Sequence, residues 1–119
     1  MKKEMNLKLI NTFPELYGLY HDEVDWQESD ETGCHVVYGD VFEPYIEKLI
    51  IEKNNQLLIK VFAFLEELLD LQEVYIDEVI RLSVLEVLYD RKESIEYCKS
   101  FMKTKTLSMI NKMIDSSNK

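Results

Sequence analysis

One apolar segment, residues 57–71, constrains the fold more than any other part of the chain. Its sequence is LLIKVFAFLEELLDL, and its large apolar side chains recur at intervals of three and four residues. That spacing places them on one face of an α-helix. The side chains concerned are Leu58, Val61, Phe62, Leu65, Leu68 and Leu69. We therefore expect a buried central helix on which the other elements pack.

The rest of the chain also predicts helices. The 119 residues include only three glycines and two prolines, which favours helices over strands and turns. Helical spacing recurs at residues 4–11, between Thr12 and Asp25, and from Asp40 to the break at Asn54-Asn55. After the central segment, a short turn at Gln72-Glu73 is expected, and helical spacing returns at 74–89, 94–102 and 104–114. The sequence thus predicts one all-α domain over residues 1–119, a bundle of six to seven helices with a frayed tail at 115–119. Residues 40–71 and 73–102 each resemble a helical hairpin, so a stacked, α-solenoid-like arrangement is the alternative.

Two helix starts carry capping signals. Thr12 and Glu15 have the spacing of a capping box, and Pro14 falls in the first turn, where its missing N–H is harmless. Asp40 is a suitable N-cap for the helix that contains Pro44. We expect new helices to begin at both positions.

The charge is strongly negative and unevenly distributed. The formal net charge is -9, and no lysine or arginine occurs from Leu9 through Glu47. A nucleic-acid-binding domain usually carries a basic face, and anionic lipid attracts basic segments, so both kinds of partner are disfavoured. The C-terminal segment is richer in lysine and arginine. We expect a protein with an acidic surface that attracts a cationic protein partner.

Residues 25–37 (DWQESDETGCHVV) lack helical spacing and predict an exposed acidic loop. Trp26, the only tryptophan, lies within this segment, and Tyr20 and Tyr38 flank it. An aromatic anchor surrounded by charges is typical of protein interfaces. The predicted partner-binding residues are Asp22, Glu23, Asp25, Trp26, Glu28, Asp30, Glu31 and Asp40. The alternative is a solvated loop in which Trp26 covers one end of the bundle.

No motif predicts catalysis or a cofactor. His21, Cys34 and His35 lie near carboxylates, but their spacing matches no zinc pattern, and the acids lack the arrangement of a calcium loop. A histidine next to Asp22 and Glu23 is an acid–base pair without a recognisable nucleophile. We therefore predict no catalytic, metal-binding or cofactor-binding residue, and a protein that is not an enzyme.

The cysteine usage and the N-terminus indicate the compartment. Cys34 and Cys98 are far apart in the sequence and form no CxxC pair, which favours reduced thiols over a disulfide. The first residues, MKKEMNLKLINTF, lack the continuous apolar region of a signal peptide. No apolar run approaches the ~20 residues that span a bilayer. We expect a cytoplasmic protein.

Five strings carry a family resemblance: FPELYGLYHDEV (13–24), VVYGDVFEPYIEKLI (36–50), KVFAFLEELL (60–69), VLEVLYD (84–90) and FMKTKTLSMI (101–110). Together they resemble a family of small uncharacterised bacterial helical proteins found beside polymorphic or contact-dependent growth-inhibition toxins. Its members resemble immunity proteins. The resemblance covers most of the chain and implies a cognate protein toxin domain as partner. The shared strings are structural, so they assign no binding residue.

Charge and resemblance lead to the same functional expectation. Nuclease toxins are often basic because they bind nucleic acid, and an acidic inhibitor gains association rate from electrostatic steering. We expect an immunity protein that binds and neutralises a cognate toxin domain through its acidic surface. A nuclease is one candidate for that toxin. The alternative is a helical adaptor or regulatory subunit that binds another cytoplasmic protein.

Overall fold

Seven helices and no strand make up the part of the chain described by the computed structural model, residues 2–24 and 33–117. The helices, in chain order, are α1 (Lys2–Thr12), α2 (Tyr17–Val24, after a 3₁₀ turn at Pro14–Leu16), α3 (consecutive segments Cys34–Val37, Tyr38–Phe42 and Glu43–Ile51), α4 (Asn55–Leu69), α5 (Val74–Val79, Ile80–Leu85 and Glu86–Tyr89), α6 (Lys92–Cys98, continued by a 3₁₀ turn at Lys99–Phe101) and α7 (Thr104–Ser117). The predicted all-α class is confirmed.

Helix α4 is the centre of the core, as its spacing predicts. All six side chains of the predicted stripe are buried, and Phe64 is buried beside them. The helix is bounded by the two breaks expected from the sequence. Asn54 caps its start by accepting a hydrogen bond from the Leu57 N–H at 3.3 Å. At the other end, Gln72 takes a positive φ of 55° and turns the chain into α5.

A cluster of three phenylalanines ties the N-terminal helices to this core. Phe13, Phe42 and Phe64 contact one another with ring centroids 5.4 to 5.7 Å apart, and two of the three pairs are edge-to-face. Phe13 lies between α1 and the turn that leads into α2, whereas Phe42 and Phe64 belong to α3 and α4. This cluster therefore fixes the start of α2 against α3.

The start of α3 differs from the prediction. Residues 34–37 were expected in a loop and Asp40 at an N-cap, but the helix begins at Cys34 and Asp40 lies within it. The cause is burial, because Cys34, Val37 and Tyr38 are fully buried and continue the stripe of Val41 and Phe42 backwards by a turn. The predicted loop at 25–37 is thus wrong for its last residues, while 25–32 lie outside the described ranges.

Pro44 also lies in the interior of α3 and not in a first turn. A proline there has no N–H to donate and its ring crowds the carbonyl four residues back. The preceding segment, Tyr38–Phe42, is a π-helix, in which the Glu43 N–H bonds to the Tyr38 carbonyl five residues back. This wider turn accommodates Pro44 without ending the helix.

The predicted capping box before α2 is wrong. Thr12 is the last residue of α1, and no side-chain cap precedes the 3₁₀ turn at Pro14–Leu16. Because Phe13 is completely buried, it holds the chain between the two helices, and the Glu15 carboxylate accepts a hydrogen bond from the Tyr45 hydroxyl instead.

The last helices are longer than predicted. Helix α6 begins at Lys92, and α7 continues through Ser117, so residues 115–117 are helical and not frayed. In α5, Leu82 is 43% exposed. None of the helices in the described ranges is long and apolar enough to cross a membrane.

Candidate partner-binding surface

The predicted acidic surface is only partly within the described residues. Asp22 and Glu23 lie in the last turns of α2, and Asp40 is exposed on α3. The other predicted residues, Asp25, Trp26, Glu28, Asp30 and Glu31, lie outside the described ranges. The surface is therefore built below from α2 and α3.

A groove between α2 and α3, here called the α2–α3 groove, has a volume of about 640 Å³. Its floor contains Leu16, Val41 and Leu49, which are buried from solvent by the helices around them. Leu19 of α2 also lines it, yet this side chain is 59% exposed. A large apolar side chain left in water beside an apolar concavity is a feature of partner-binding sites.

The rim of the groove carries more negative than positive charge. Glu15, Asp40 and Glu52 line it with exposed carboxylates, and Lys48 is the single cation among the lining residues that the structure describes. The three carboxylates come from different places: the turn before α2, the π segment of α3, and the residue after α3. Their convergence is a consequence of tertiary structure.

Glu15 is held at this rim by Tyr45. The Tyr45 hydroxyl donates a hydrogen bond to Glu15 Oε2. Burial, followed by the Glu15 hydrogen bond and charge, raises the pKa of Tyr45 above its ordinary value, so the hydroxyl stays protonated. Tyr45 itself packs edge-on against Phe13, with centroids 6.0 Å apart. The phenylalanine cluster thereby positions one of the rim carboxylates.

The acidic surface extends from the groove along α2. Asp22 and Glu23 are three and four residues after Leu19, which places them beside it on the same helix surface. Asp22 is exposed and Glu23 half-buried. We call Glu15, Leu19, Asp22, Glu23, Asp40 and Glu52 together the acidic face.

Tyr20 and Tyr38, which flank Trp26 in the sequence, do not belong to this face. Tyr20 is 3% exposed, and Tyr38 is fully buried. The Tyr38 hydroxyl donates to the Met5 carbonyl at 2.8 Å and so attaches α1 to α3. Burial raises the pKa of Tyr38 well above its ordinary value. Both tyrosines are core residues.

Glu43 and Glu47 belong to the lysine-free segment but turn inward. Glu43 is only 3% exposed, and Glu47 pairs with Arg91, whose Nε lies 2.8 Å from the Glu47 carboxylate. Burial, then the hydrogen bond and charge of Glu47, raise the pKa of Glu43 to about 8. The ion pair between Glu47 and Arg91 joins α3 to the start of α6. Neither Glu43 nor Glu47 contributes to the acidic face.

A further contact, between α3 and α5, was not expected from the sequence. His35 Nδ1 lies 2.8 Å from Ser83 Oγ, where the π segment of α5 packs close to Gly39. The His35 ring also meets Tyr75 edge-on. The serine is buried and its histidine partner exposed, so the pair satisfies a buried hydroxyl at a helix crossing.

A second concavity, the α5–α7 cleft, has a volume of about 950 Å³. Its charged lining residues are balanced: Arg81, Lys105 and Lys112 against Asp77, Glu86 and Asp90. Arg81 pairs with Glu86 at 3.4 Å, and Lys105 with Asp70 at 2.9 Å. This cleft is larger than the α2–α3 groove but has no preference for one sign of charge.

The candidate metal ligands are not assembled. The His21 and Tyr17 rings are tilted by 39° with centroids 5.7 Å apart, whereas Cys34 is fully buried at the start of α3. Within residues 2–24 and 33–117, no group of three histidine, cysteine, aspartate or glutamate side chains is placed to hold a metal ion.

The molecule is thus an all-α domain with an apolar groove rimmed by carboxylates. The chain belongs to the family described as Domain of unknown function (DUF7674), whose model matches residues 6–117. No curated protein and no solved structure matches the chain.

Proposed function

We propose that the protein is an immunity protein, which binds a basic toxin domain through the acidic face and so neutralises it. The observation that carries this proposal is the α2–α3 groove, where an exposed leucine and three carboxylates surround an apolar floor. Apolar contact at the centre of an interface supplies affinity, and surrounding charges select the sign of the partner.

The distribution of charge supports a fast inhibitor. A net charge of -9 attracts a basic domain over a Debye length of about 8 Å at physiological salt. If the toxin domain is a nuclease, its cationic side chains lie where it binds the phosphates of nucleic acid. Carboxylates placed there compete with nucleic acid for the same cations, which explains inhibition without chemistry.

A helical adaptor is the second candidate, and the α5–α7 cleft favours it. This cleft shares no lining residue with the α2–α3 groove. Two separate concavities on one small domain suit a protein that joins two partners.

Co-expression tests the proposal. A candidate toxin domain from a neighbouring gene is expressed in a host with the wild-type protein, with a groove variant, Leu19→Asp, and with a cleft variant at an exposed position, Ser108→Asp. Growth restored by the wild type and by Ser108→Asp, but not by Leu19→Asp, supports the immunity function. No rescue by the wild type contradicts it, and loss of rescue in Ser108→Asp alone favours the adaptor.

A further inference from the structure

We infer that the α2–α3 groove is the anchor site for an arginine side chain of the protein partner. This inference rests on the proposed function and adds the chemical group that the partner places in the groove. It is independent of which basic domain supplies that group.

The floor of the groove fits the aliphatic part of such a side chain. Leu16, Val41 and Leu49 are at most 3% exposed, so the apolar surface that an entering chain meets comes from the more exposed lining residues above them. These are Leu19, Pro44, Tyr45 and Leu57. Leu19 stands at the edge and is available to cover an inserted chain. Arginine buries its three methylene groups against apolar surface while its charged end stays near polar groups.

The rim fits the guanidinium group. Glu15, Asp40 and Glu52 present three carboxylates against the single ammonium of Lys48, among the described residues that line the groove. A guanidinium has five N–H donors in a rigid plane and reaches several carboxylates at once. It is also less strongly hydrated than the ammonium of lysine, so entry into a partly apolar groove costs less.

The orientation of Glu15 strengthens the preference for a cation. Its carboxylate is fixed by the Tyr45 hydroxyl, which leaves Glu15 less free to turn away when a ligand enters. A preorganised acceptor loses less conformational freedom on binding. An anionic ligand meets three carboxylates here, and the balanced α5–α7 cleft offers no comparable excess of charge.

Titration with small analogues of side chains tests the inference without the partner. The ¹⁵N-labelled protein is titrated with n-butylguanidinium, n-butylammonium and the neutral n-butylurea, and amide shifts are followed by NMR. We expect saturable shifts at Leu19, Asp40 and Val41 with n-butylguanidinium, and about tenfold weaker binding of n-butylurea. The n-butylammonium ion should bind between the two.

Paired variants locate the binding. Asp40→Asn combined with Glu52→Gln should weaken n-butylguanidinium binding several-fold. Glu67→Gln combined with Glu78→Gln changes the net charge equally at exposed positions outside the groove and should leave the affinity unchanged. Equal binding of guanidinium and urea, shifts centred on the α5–α7 cleft, or equal loss in both variants would each overturn the inference.

The two proposals fail in distinguishable ways. If n-butylguanidinium binds in the groove but growth is not rescued, the immunity function is contradicted and the arginine anchor site remains supported. If growth is rescued but n-butylguanidinium does not bind, the arginine anchor site is overturned and the immunity function remains supported.

Discussion

Glu66 of α4 caps the first turn of α7 through Thr106. Its carboxylate accepts hydrogen bonds from the Lys105 N–H at 2.8 Å, the Thr106 N–H at 3.2 Å and the Thr106 hydroxyl at 3.1 Å. The negative charge also lies at the positive end of the helix. A side chain of the core helix thus satisfies backbone donors that α7 leaves open at its start, and Thr106 is completely buried at the contact.

Removing this cap should destabilise the protein. Glu66→Ala leaves the N–H groups of Lys105 and Thr106 without their acceptor, which should lower the free energy of unfolding by about 1–3 kcal/mol. Chemical denaturation measures the change. Glu67→Ala, at the exposed neighbouring position, is the control and should change stability by less than about 0.5 kcal/mol. Similar losses in the two variants would contradict the capping role.

Glu43 should make stability depend on pH. Its pKa rises from 4.5 to about 8 on folding, so the folded state holds a proton that the unfolded state releases between these values. The free energy of unfolding therefore decreases from pH 4.5 to 8 on account of this group. Glu43→Gln should remove that part of the decrease, so its stability relative to the wild type should increase by roughly 4–5 kcal/mol between pH 4.5 and 8.

Denaturation curves across this pH range check the Glu43 effect. The difference between variant and wild type should grow from pH 4.5 to 8 and then level off. A constant difference for Glu43→Gln would mean that its carboxyl is ionised in the folded protein at neutral pH.

Gly18 limits the stability of α2. It lies inside the helix, and a Cβ built at this position meets no atom within 4 Å. Because alanine restricts the unfolded chain more than glycine does, Gly18→Ala should stabilise the protein by about 0.5–1 kcal/mol, measured by thermal denaturation. At Gly39 a Cβ would lie 3.6 Å from Ser83 Cβ and 3.7 Å from the Ser83 carbonyl oxygen, which are ordinary van der Waals contacts, so Gly39→Ala should also be tolerated without loss of stability. A loss of stability in either variant would contradict this reading of the two sites.

The two cysteines should react slowly with thiol reagents in the folded protein. Neither cysteine forms a disulfide, both are completely buried, and burial raises the pKa of Cys98 to about 12. Labelling with a disulfide reagent should proceed only in denaturant for both thiols. Rapid labelling of either cysteine in native buffer would contradict the packing around it.

Local periodicity in the sequence predicts much of this fold. Helix α4, the breaks at Asn54 and Gln72, and the all-α class follow from spacing and from residues that favour turns. The errors lie where tertiary contacts override local signals. Asp40 has the side chain of an N-cap, yet burial of Cys34 and Val37 carries α3 backwards through it. Thr12 likewise does not cap α2, because burial of Phe13 fixes the chain there and Thr12 ends α1.

The acidic face is harder to predict, because it joins residues that are distant in the sequence. The lysine-free segment identifies Asp22, Glu23 and Asp40, and the spacing of Leu19 to Asp22 indicates that they share a helix surface. Glu52 lies outside that segment, and only the packing of α2 on α3 brings it to the same groove as Glu15. The same segment also contains Glu43, which packing turns into the core.

The association rate with the basic toxin domain tests the central claim most directly. It is measured by stopped-flow fluorescence at increasing sodium chloride for three proteins of controlled charge. These are the wild type, a groove variant carrying Glu15→Gln, Asp40→Asn and Glu52→Gln, and a control carrying Glu67→Gln, Glu78→Gln and Glu93→Gln. Each variant removes three exposed carboxylates, so their net charges are equal. We predict that the groove variant associates at least about tenfold more slowly at low salt and depends less on salt, while the control stays near the wild type. Equal rates for the two variants would show that only total charge matters and would contradict a binding role for the acidic face.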